Sequence, residues 1–195
     1  MRGRSDPAAA LFVGVRNADA APRMNIYLVG PMGSGKSAVG RQLAARLGLE
    51  FCDSDEEIER RTGVDIAYIF EREGEEGFRQ RESEVLDLLT QRDQLLVATG
   101  GGAILDPQTR ERLRSRGRVV YLRTSVDQQL VRTRRSNDRP LLNNPDPRGT
   151  LERLFALRAP LYAEVAEVTV DTDGRKVKTV VDQVCSLLGV AGDAA

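Results

Sequence analysis

One octapeptide limits the possible folds of this chain more than any other feature. Residues 30–37 read GPMGSGKS and match the pattern GxxxxGK[ST]. An apolar run at 26–29 precedes the octapeptide, and a stretch with apolar residues at helical spacing, 36–47, follows it. In such a strand–loop–helix context the loop wraps its backbone N–H groups around phosphates, and the helix N-terminus faces the same anion. The octapeptide therefore predicts a nucleoside triphosphate site in an α/β fold.

The residue types inside the octapeptide suit phosphate binding. Lys36 is expected to neutralise the β- and γ-phosphates and to take part in catalysis, while Ser37 offers its hydroxyl to Mg²⁺. A glycine-rich turn with a chance lysine is the alternative, but it does not explain eight matched positions between a strand and a helix. We therefore predict a nucleotide-binding segment made of Gly33, Ser34, Gly35, Lys36, Ser37 and Ala38.

The octapeptide alone does not separate kinases from GTPases, motor ATPases or regulatory nucleotide binders. The NKxD motif that reads guanine is absent from the sequence, and 195 residues are few for a motor protein. A small-molecule kinase fits the length best, and the remaining motifs test that interpretation.

Along the whole chain, short apolar runs alternate with longer amphipathic stretches. The apolar runs predict strands at 26–29, 49–52, 94–98, 118–122 and 165–170. The amphipathic stretches predict helices at 36–47, 54–61, 66–72, 75–90, 107–116, 126–134, 148–164 and 177–188. This alternation is typical of right-handed crossovers, so we expect three layers: a five-stranded parallel sheet with helices on both faces.

The first 23 residues stand apart from this pattern. Two arginines precede a short apolar stretch there, and residues 18–20 resemble a signal-peptidase site. A cleaved signal is disfavoured because the nucleotide site that follows needs cytosolic ATP. We expect a disordered leader at 1–23, or a start codon assigned upstream of Met24, followed by one cytoplasmic domain over 24–195.

Composition excludes several classes of function. The sequence has no histidine, which excludes Ser-His-Asp hydrolysis, Cys-His proteolysis and histidine-ligated zinc. Its two cysteines, Cys52 and Cys185, are too few for a zinc site or a disulfide framework and are expected to be buried thiols. The 29 basic residues balance 29 acidic ones, and no apolar run reaches the length of a membrane span. We therefore expect a monomer with no nucleic-acid, membrane or obligate protein partner.

Two aspartates follow the predicted second strand at its carboxyl end, the edge where open α/β sheets bind ligands. Asp53 and Asp55 alternate along an extended segment, so both carboxylates could face the phosphate loop. Asp53 could then hold Mg²⁺ through water, while Asp55 accepts a hydrogen bond from the hydroxyl of an acceptor substrate. The alternative is that one of them caps the next helix.

Three consecutive glycines, 100–102, follow the third predicted strand. Such a run costs conformational entropy and is rarely tolerated unless something passes close to the backbone. A ring-shaped ligand lying on the turn would explain the run. A tight turn that needs positive φ angles explains it equally well at this point.

Arginines supply positive charge on the acceptor side. Residues 132–158 carry seven arginines against three acidic residues, and they include a loop at 135–147 rich in Asn, Asp and Pro. A loop of this length predicts a mobile lid, at about 134–147, from which Arg139 would stabilise the transferring phosphoryl group. Arg79 and Arg158 are candidates for a fork-like grip on a carboxylate.

Taken together, the motifs resemble the shikimate kinase family. The matching elements occur in family order over residues 25–188, which leaves out only the leader and the last few residues. They are GPMGSGKS at 30–37, DSD at 53–55, GFRQRE at 77–82, TGGGA at 99–103, RPLL at 139–142 and RAPLY at 158–162.

The resemblance implies a P-loop kinase fold and MgATP-dependent phosphorylation of the 3-hydroxyl of shikimate. It implies that Asp55 contacts the reacting hydroxyl, that Arg79 and Arg158 bind the carboxylate, and that a helical region at about 54–90 binds substrate. The glycines that would line the ring are Gly100, Gly101 and Gly102. The arginines that would hold the nucleotide are Arg132 on the adenine, Arg139 in the lid and Arg175 near the adenine.

One departure and two rival functions accompany the resemblance. Where many members of the family have proline beside the adenine, this chain has Val177. Another small-molecule kinase, for gluconate or a nucleotide, is one rival, and TGGGA and RPLL argue against it. A regulatory module that has lost turnover is the second rival. It would have no need of an intact set of Asp55, Arg79, Arg139 and Arg158.

Overall fold

Five parallel strands form the central layer of the computed structural model, which describes residues 24–134 and 145–190. The strands within these ranges are β1 (Ile26–Val29), β2 (Glu50–Asp53), β3 (Leu95–Ala98), β4 (Arg118–Arg123) and β5 (Val168–Asp171). Their order is β2-β3-β1-β4-β5 and every neighbouring pair is parallel. Strands β1 and β3 are buried along their whole length, as continuous apolar strands covered on both faces should be.

Helices cover both faces of this sheet. They are α1 (Lys36–Leu47), α2 (Ser54–Thr62), α3 (Ile66–Thr90), α4 (Pro107–Arg116), α5 (Val126–Thr133), α6 (Pro147–Val165) and α7 (Val177–Leu188), with a 3₁₀ turn at Ala103–Leu105. Alternate residues of β1 enter different cores. Ile26 and Leu28 pack with α1 and α7, whereas Tyr27 and Val29 pack with α3, α4 and α6. The three-layer α/β fold predicted from the sequence is confirmed.

Most element bounds agree with the sequence pattern to within one residue, and the start of β5 is the exception. Strand β2 lies one residue later than predicted. Strand β5 begins at Val168, not at 165, because Val165 continues α6 and buries its side chain beside Tyr162 in the core. Helix α3 contains Gly74 at φ 71° and ψ −173°, which is the break predicted between 72 and 75.

Three further sequence predictions concern the leader, the lid and the two cysteines. The leader at 1–23 and most of the lid at 134–147 lie outside the described residues. Cys185 is buried against α1 as predicted, but Cys52 is only half-buried. No helix within residues 24–134 and 145–190 is both long and apolar enough to cross a lipid bilayer.

Candidate functional site

A cavity of about 370 Å³ opens at the carboxyl ends of β1, β2 and β3. The connection after β1 runs toward β2, whereas the connection after the neighbouring strand β3 runs the opposite way, toward β4. Open α/β sheets bind ligands at such a point. The cavity is lined by Met32, Gly33, Gly35, Lys36, Ser37, Ala38, Asp53, Asp55, Ile66, Phe70, Phe78, Arg79, Glu82, Thr99, Gly100, Gly101, Gly102, Arg132 and Arg158.

The phosphate loop occupies one side of this cavity. Gly33 and Gly35 have φ angles of 75° and 90°, in the region that residues with a Cβ rarely adopt. Lys36 lies over the loop, where its Nζ donates to the carbonyl oxygens of Gly30 and Pro31, each at 2.9 Å. The loop leads directly into α1, so its backbone amides, the Lys36 ammonium and the helix N-terminus gather positive charge at one point.

Ser37 and Asp53 bring two oxygen atoms together beside this loop. The Ser37 hydroxyl donates to Asp53 Oδ2 at 2.6 Å, and Asp53 Oδ1 accepts from the backbone N–H of Asp55 at 3.1 Å. Asp53 is therefore also the N-cap of α2, as the capping interpretation expects, and its role at a metal stays a prediction. A hydroxyl and a carboxylate fit Mg²⁺, which is usually held by one or two protein oxygens together with phosphates and water.

Asp55 reaches the same cavity from the first turn of α2. Its Oδ1 lies 2.9 Å from where a Cβ on Gly100 would stand, so the carboxylate packs against the glycine turn after β3. The backbone N–H of Gly100 donates to the hydroxyl of Ser54 at 2.9 Å, which ties the start of α2 to that turn. The carboxylate predicted to orient the acceptor hydroxyl therefore lies against the glycine turn, in the cavity that the phosphate loop also lines.

Close packing and not backbone conformation explains Gly100 and Gly102 in the turn after β3, whereas a Cβ on Gly101 would make only ordinary contacts. None of Gly100, Gly101 and Gly102 has a left-handed φ, so the tight-turn alternative is wrong. A Cβ on Gly100 would overlap the Glu82 carboxylate, and a Cβ on Gly102 would overlap the Arg79 guanidinium. The missing side chains make room for charged groups of α3 that line the cavity, and a ring lying on this turn stays a prediction.

Two arginines from different helices face the acceptor side of the cavity with unequal pairing. Arg79 donates to Glu82 Oε2 at 2.6 Å and to Glu75 Oε1 at 3.1 Å. Burial lowers the pKa of Arg79, but these carboxylates outweigh it and raise the pKa above its ordinary value. Arg158 is only 5% exposed, and its described hydrogen bond, to the Gly101 carbonyl, is long at 3.4 Å.

Burial lowers the pKa of Arg158 below its ordinary value, and the nearby positive charge of Arg79 adds to this effect. The Nε of Arg158 has no hydrogen-bond partner within the described residues. Arginine does not lose its proton in proteins, so the group stays a buried cation with spare donors. Such a group is stabilised by an anionic ligand, and a carboxylate matches the fork of its N–H groups.

Glu82 is a functional candidate to which the sequence analysis gave no role. It lies one helical turn after Arg79, is 2% exposed, and its Oε1 has no hydrogen-bond partner within the described residues. Burial raises its pKa despite the two arginines nearby. The spacing of three from Arg79 on a helix was the available signal. Sequence reasoning also missed the apolar wall of the cavity, formed by Ile66, Phe70 and Phe78.

Of the three arginines predicted to hold the nucleotide, the structure places one in the cavity lining, one outside that lining, and does not describe the third. Arg132 lines the cavity, and its guanidinium is fixed by donation to the Gly33 carbonyl at 2.9 Å and to Thr172 Oγ1 and O at 3.1 and 2.8 Å. Arg175 is exposed, bonds to Gln183 on α7 and does not line the cavity, so its contact with adenine stays a prediction. Arg139 lies outside the described residues.

Comparison with known proteins gives one consistent family. The family model described as shikimate kinase matches residues 32–188. A shikimate kinase of Alteromonas mediterranea is 53% identical over 170 residues, which cover 87% of this chain and 99% of that protein. The solved shikimate kinase from Acinetobacter baumannii in complex with shikimate has a TM-score of 0.84 at 52% identity, over 86% of this chain and 93% of the other.

A more distant solved structure, shikimate kinase from Aquifex aeolicus, has a TM-score of 0.75 at 36% identity, over 85% of this chain and 96% of the other. The segment matched by the family model contains most of the phosphate loop, the glycine turn and the three arginines that line the cavity. Since family model, relatives and structures agree over most of its length, the chain belongs to the shikimate kinase family.

Proposed function

We propose that this chain transfers the γ-phosphoryl group of ATP to the 3-hydroxyl of shikimate, giving shikimate 3-phosphate and ADP on the route to chorismate and the aromatic amino acids. The observation that carries the proposal is one cavity in which a phosphate loop, Asp55 and the guanidinium groups of Arg79 and Arg158 face each other. A substrate for this cavity needs a hydroxyl near the loop and an anionic group at the arginines. Shikimate has both on one ring.

The nucleotide half of the reaction is assigned to the phosphate loop and its surroundings. The backbone of Gly33 to Ala38 would bind the phosphates, with Lys36 shifting from the loop carbonyls to the β- and γ-phosphate oxygens. Arg132 has its guanidinium plane set by three hydrogen bonds, which supports stacking on adenine without further ordering. We assign Arg175 to the rim of the adenine site and Arg139 to the lid.

Ser37 and Asp53 are the residues that would hold Mg²⁺, Asp53 through water. When bound, the ion supplies positive charge to the phosphate oxygens during transfer. The described residues contain no group of three acidic, histidine or cysteine side chains that could hold a metal by itself. This composition supports a metal that arrives with ATP, because phosphate and water must complete its coordination.

On the acceptor side, Arg79 and Arg158 would bind the shikimate carboxylate, and the glycine turn 100–102 would lie against the ring. The hydroxyl of the acceptor attacks the γ-phosphorus, the bond from that phosphorus to the β–γ bridging oxygen breaks, and ADP leaves. Asp55 is assigned to orient the hydroxyl and to receive its proton. A loose transition state asks little of a base, so orientation is its larger contribution.

Closure of residues 134–147 would exclude water, which otherwise competes with the acceptor for the phosphoryl group.

We also propose that the chain acts as a monomer without an obligate protein or nucleic-acid partner, and that it acts in the cytoplasm, where ATP is present. Residues 1–23 are assigned to a leader outside the catalytic domain, 24–195.

The test is ADP release by the purified protein with MgATP, measured with and without shikimate. Gluconate and nucleoside monophosphates serve as control acceptors, because kinases of related fold phosphorylate such compounds. ADP release that depends on shikimate and on none of the controls is the expected result. A response to a control acceptor would keep the fold and overturn the substrate, and ATP binding without acceptor-dependent ADP would identify a regulatory module.

A further inference from the structure

Tyr162 lies directly behind the glycine turn, although neither the phosphate loop nor the cavity wall includes it. Its side chain is fully buried, and its hydroxyl donates to the carbonyl of Gly101. Its ring stacks on that of Tyr121, with centroids 5.0 Å apart and an angle of 28° between the planes. Tyr162 and Arg158 are four residues apart on α6, so both side chains leave the same face of the helix.

The Gly101 carbonyl is therefore approached by two donors from one helix. The Tyr162 hydroxyl makes a close contact, whereas the Nη1 of Arg158 stands 3.4 Å away, at the limit of a hydrogen bond. Burial raises the pKa of Tyr162, so its hydroxyl keeps its proton and remains a donor throughout the neutral range. The carbonyl is satisfied by the phenol and makes little demand on the guanidinium.

Removal of the phenolic oxygen of Tyr162 would take away the closer of the two donors to the Gly101 carbonyl. A buried carbonyl left without a partner is costly, and the nearest remaining donor described is the Arg158 guanidinium. The guanidinium would then move toward the backbone of the glycine turn and away from the cavity. Its N–H groups would be used within the protein before any ligand arrived.

We infer that Tyr162 is a positioning residue for substrate: its hydroxyl occupies the Gly101 carbonyl and so leaves the Arg158 guanidinium available for the carboxylate of the acceptor. The inference rests on the proposed function, since it takes shikimate as the ligand of Arg158. It adds to that function a residue that acts through a backbone carbonyl and touches neither substrate.

The test compares Tyr162→Phe with Tyr121→Phe. Tyr121 is the other ring of the stacked pair, and its buried hydroxyl has no hydrogen-bond partner within the described residues. Removal of that hydroxyl is therefore a matched control. For Tyr162→Phe we expect the KM for shikimate to rise by about 5- to 10-fold, with the KM for ATP and kcat changed by less than about twofold. Tyr121→Phe should leave all three parameters within about twofold of the wild type.

Two further measurements separate positioning from a merely structural role. The Tm of each variant should stay near the wild-type value, because phenylalanine fills the same space. In an Arg158→Ala background, Tyr162→Phe should add nothing to the KM for shikimate, because the group that it positions is gone. If the single variant folds poorly, the double variant is compared with Arg158→Ala alone. A further rise in the KM for shikimate would then contradict the inference.

Several outcomes would overturn the inference while leaving the proposed function intact. One is an unchanged KM for shikimate in Tyr162→Phe. Another is a parallel loss for both substrates together with a lower Tm, which would mark a packing role. An equal effect of Tyr121→Phe would assign the change to the ring pair. Failure of the proposed function is distinguished by the wild type itself, which would then show no shikimate-dependent ADP release.

Discussion

Substitution of Gly102 by alanine tests whether the glycine turn exists to make room for Arg79. A Cβ at this position would overlap the central carbon and both terminal nitrogens of the Arg79 guanidinium. Heavy atoms that are not bonded settle at about 3.5 to 4 Å, so the guanidinium would have to retreat by about 1 Å or more. The side chain that moves is the flexible end of an arginine and not a segment of backbone, so the chain should still fold.

The expected loss follows from what Arg79 contributes. A charge-assisted hydrogen bond to a carboxylate is worth about 1.5 to 3 kcal/mol, and a positioning error of about 1 Å can by itself cost about 100-fold. We therefore expect the KM for shikimate to rise by about 10- to 100-fold in Gly102→Ala, with the KM for ATP nearly unchanged.

Stability should move little in the same variant. Gly102 has φ −103° and ψ −4°, which alanine can adopt. A glycine-to-alanine change at a compatible position gains about 0.4 to 1 kcal/mol through the unfolded state, which offsets part of the cost of displacing Arg79. Urea unfolding should therefore give a free energy of unfolding within about 1 kcal/mol of the wild type.

A double-mutant cycle decides whether the effect passes through Arg79. Initial rates at varied shikimate are measured for Gly102→Ala, Arg79→Ala and the double variant. If the Cβ acts only by displacing the guanidinium, Gly102→Ala should add almost nothing once the guanidinium is absent. A wild-type KM in Gly102→Ala, or the same factor in both backgrounds, would refute the reasoning.

Three further predictions follow from other parts of the molecule. Asp55→Asn should lower kcat by about 100-fold or more, with ATP affinity near normal by calorimetry, and full turnover would remove Asp55 from the mechanism. Lys36→Ala should weaken ATP binding and turnover together, and intact catalysis would contradict the phosphate-loop assignment. Burial raises the pKa of Cys52 to about 11 and also raises that of Cys185, so neither thiol should react quickly with a disulfide reagent at pH 8 until the chain is unfolded. Rapid labelling of the native protein would contradict that last prediction.

The layers of the fold could be predicted from the sequence because each strand is a separate apolar run and each helix has its own stripe. The error at β5 arose where that signal is ambiguous. The segment from Val165 to Val170 alternates like a strand, but Val165 is also one helical turn from Tyr162 and completes the buried face of α6. Periodicity within a short window cannot weigh such a tertiary contact.

The site was predicted unevenly for a related reason. The phosphate loop and Asp53 carry local signals, since a loop between strand and helix and a carboxylate at a helix start can be read from neighbouring residues. The reason for Gly100 and Gly102 is not local, because it lies in side chains of α3 some twenty residues earlier in the chain. Only the folded structure could replace the positive-φ explanation with close packing.

The same packing gives Arg79 and Arg158, the two arginines on the acceptor side, different hydrogen-bond partners. Arg79 is held by two carboxylates of its own helix, so its guanidinium is oriented before substrate arrives. Because these carboxylates partly neutralise its charge, it attracts a further anion less strongly. Arg158 makes one long hydrogen bond to the residues that the structure describes, so it depends on its surroundings for position. A carboxylate that meets both therefore gains geometry from Arg79 and most of its electrostatic stabilisation from Arg158. Loss of Glu82 should in consequence disturb substrate orientation more than the attraction for an anion, since it releases Arg79, whereas Arg158 loses a nearby negative charge and none of its described hydrogen bonds.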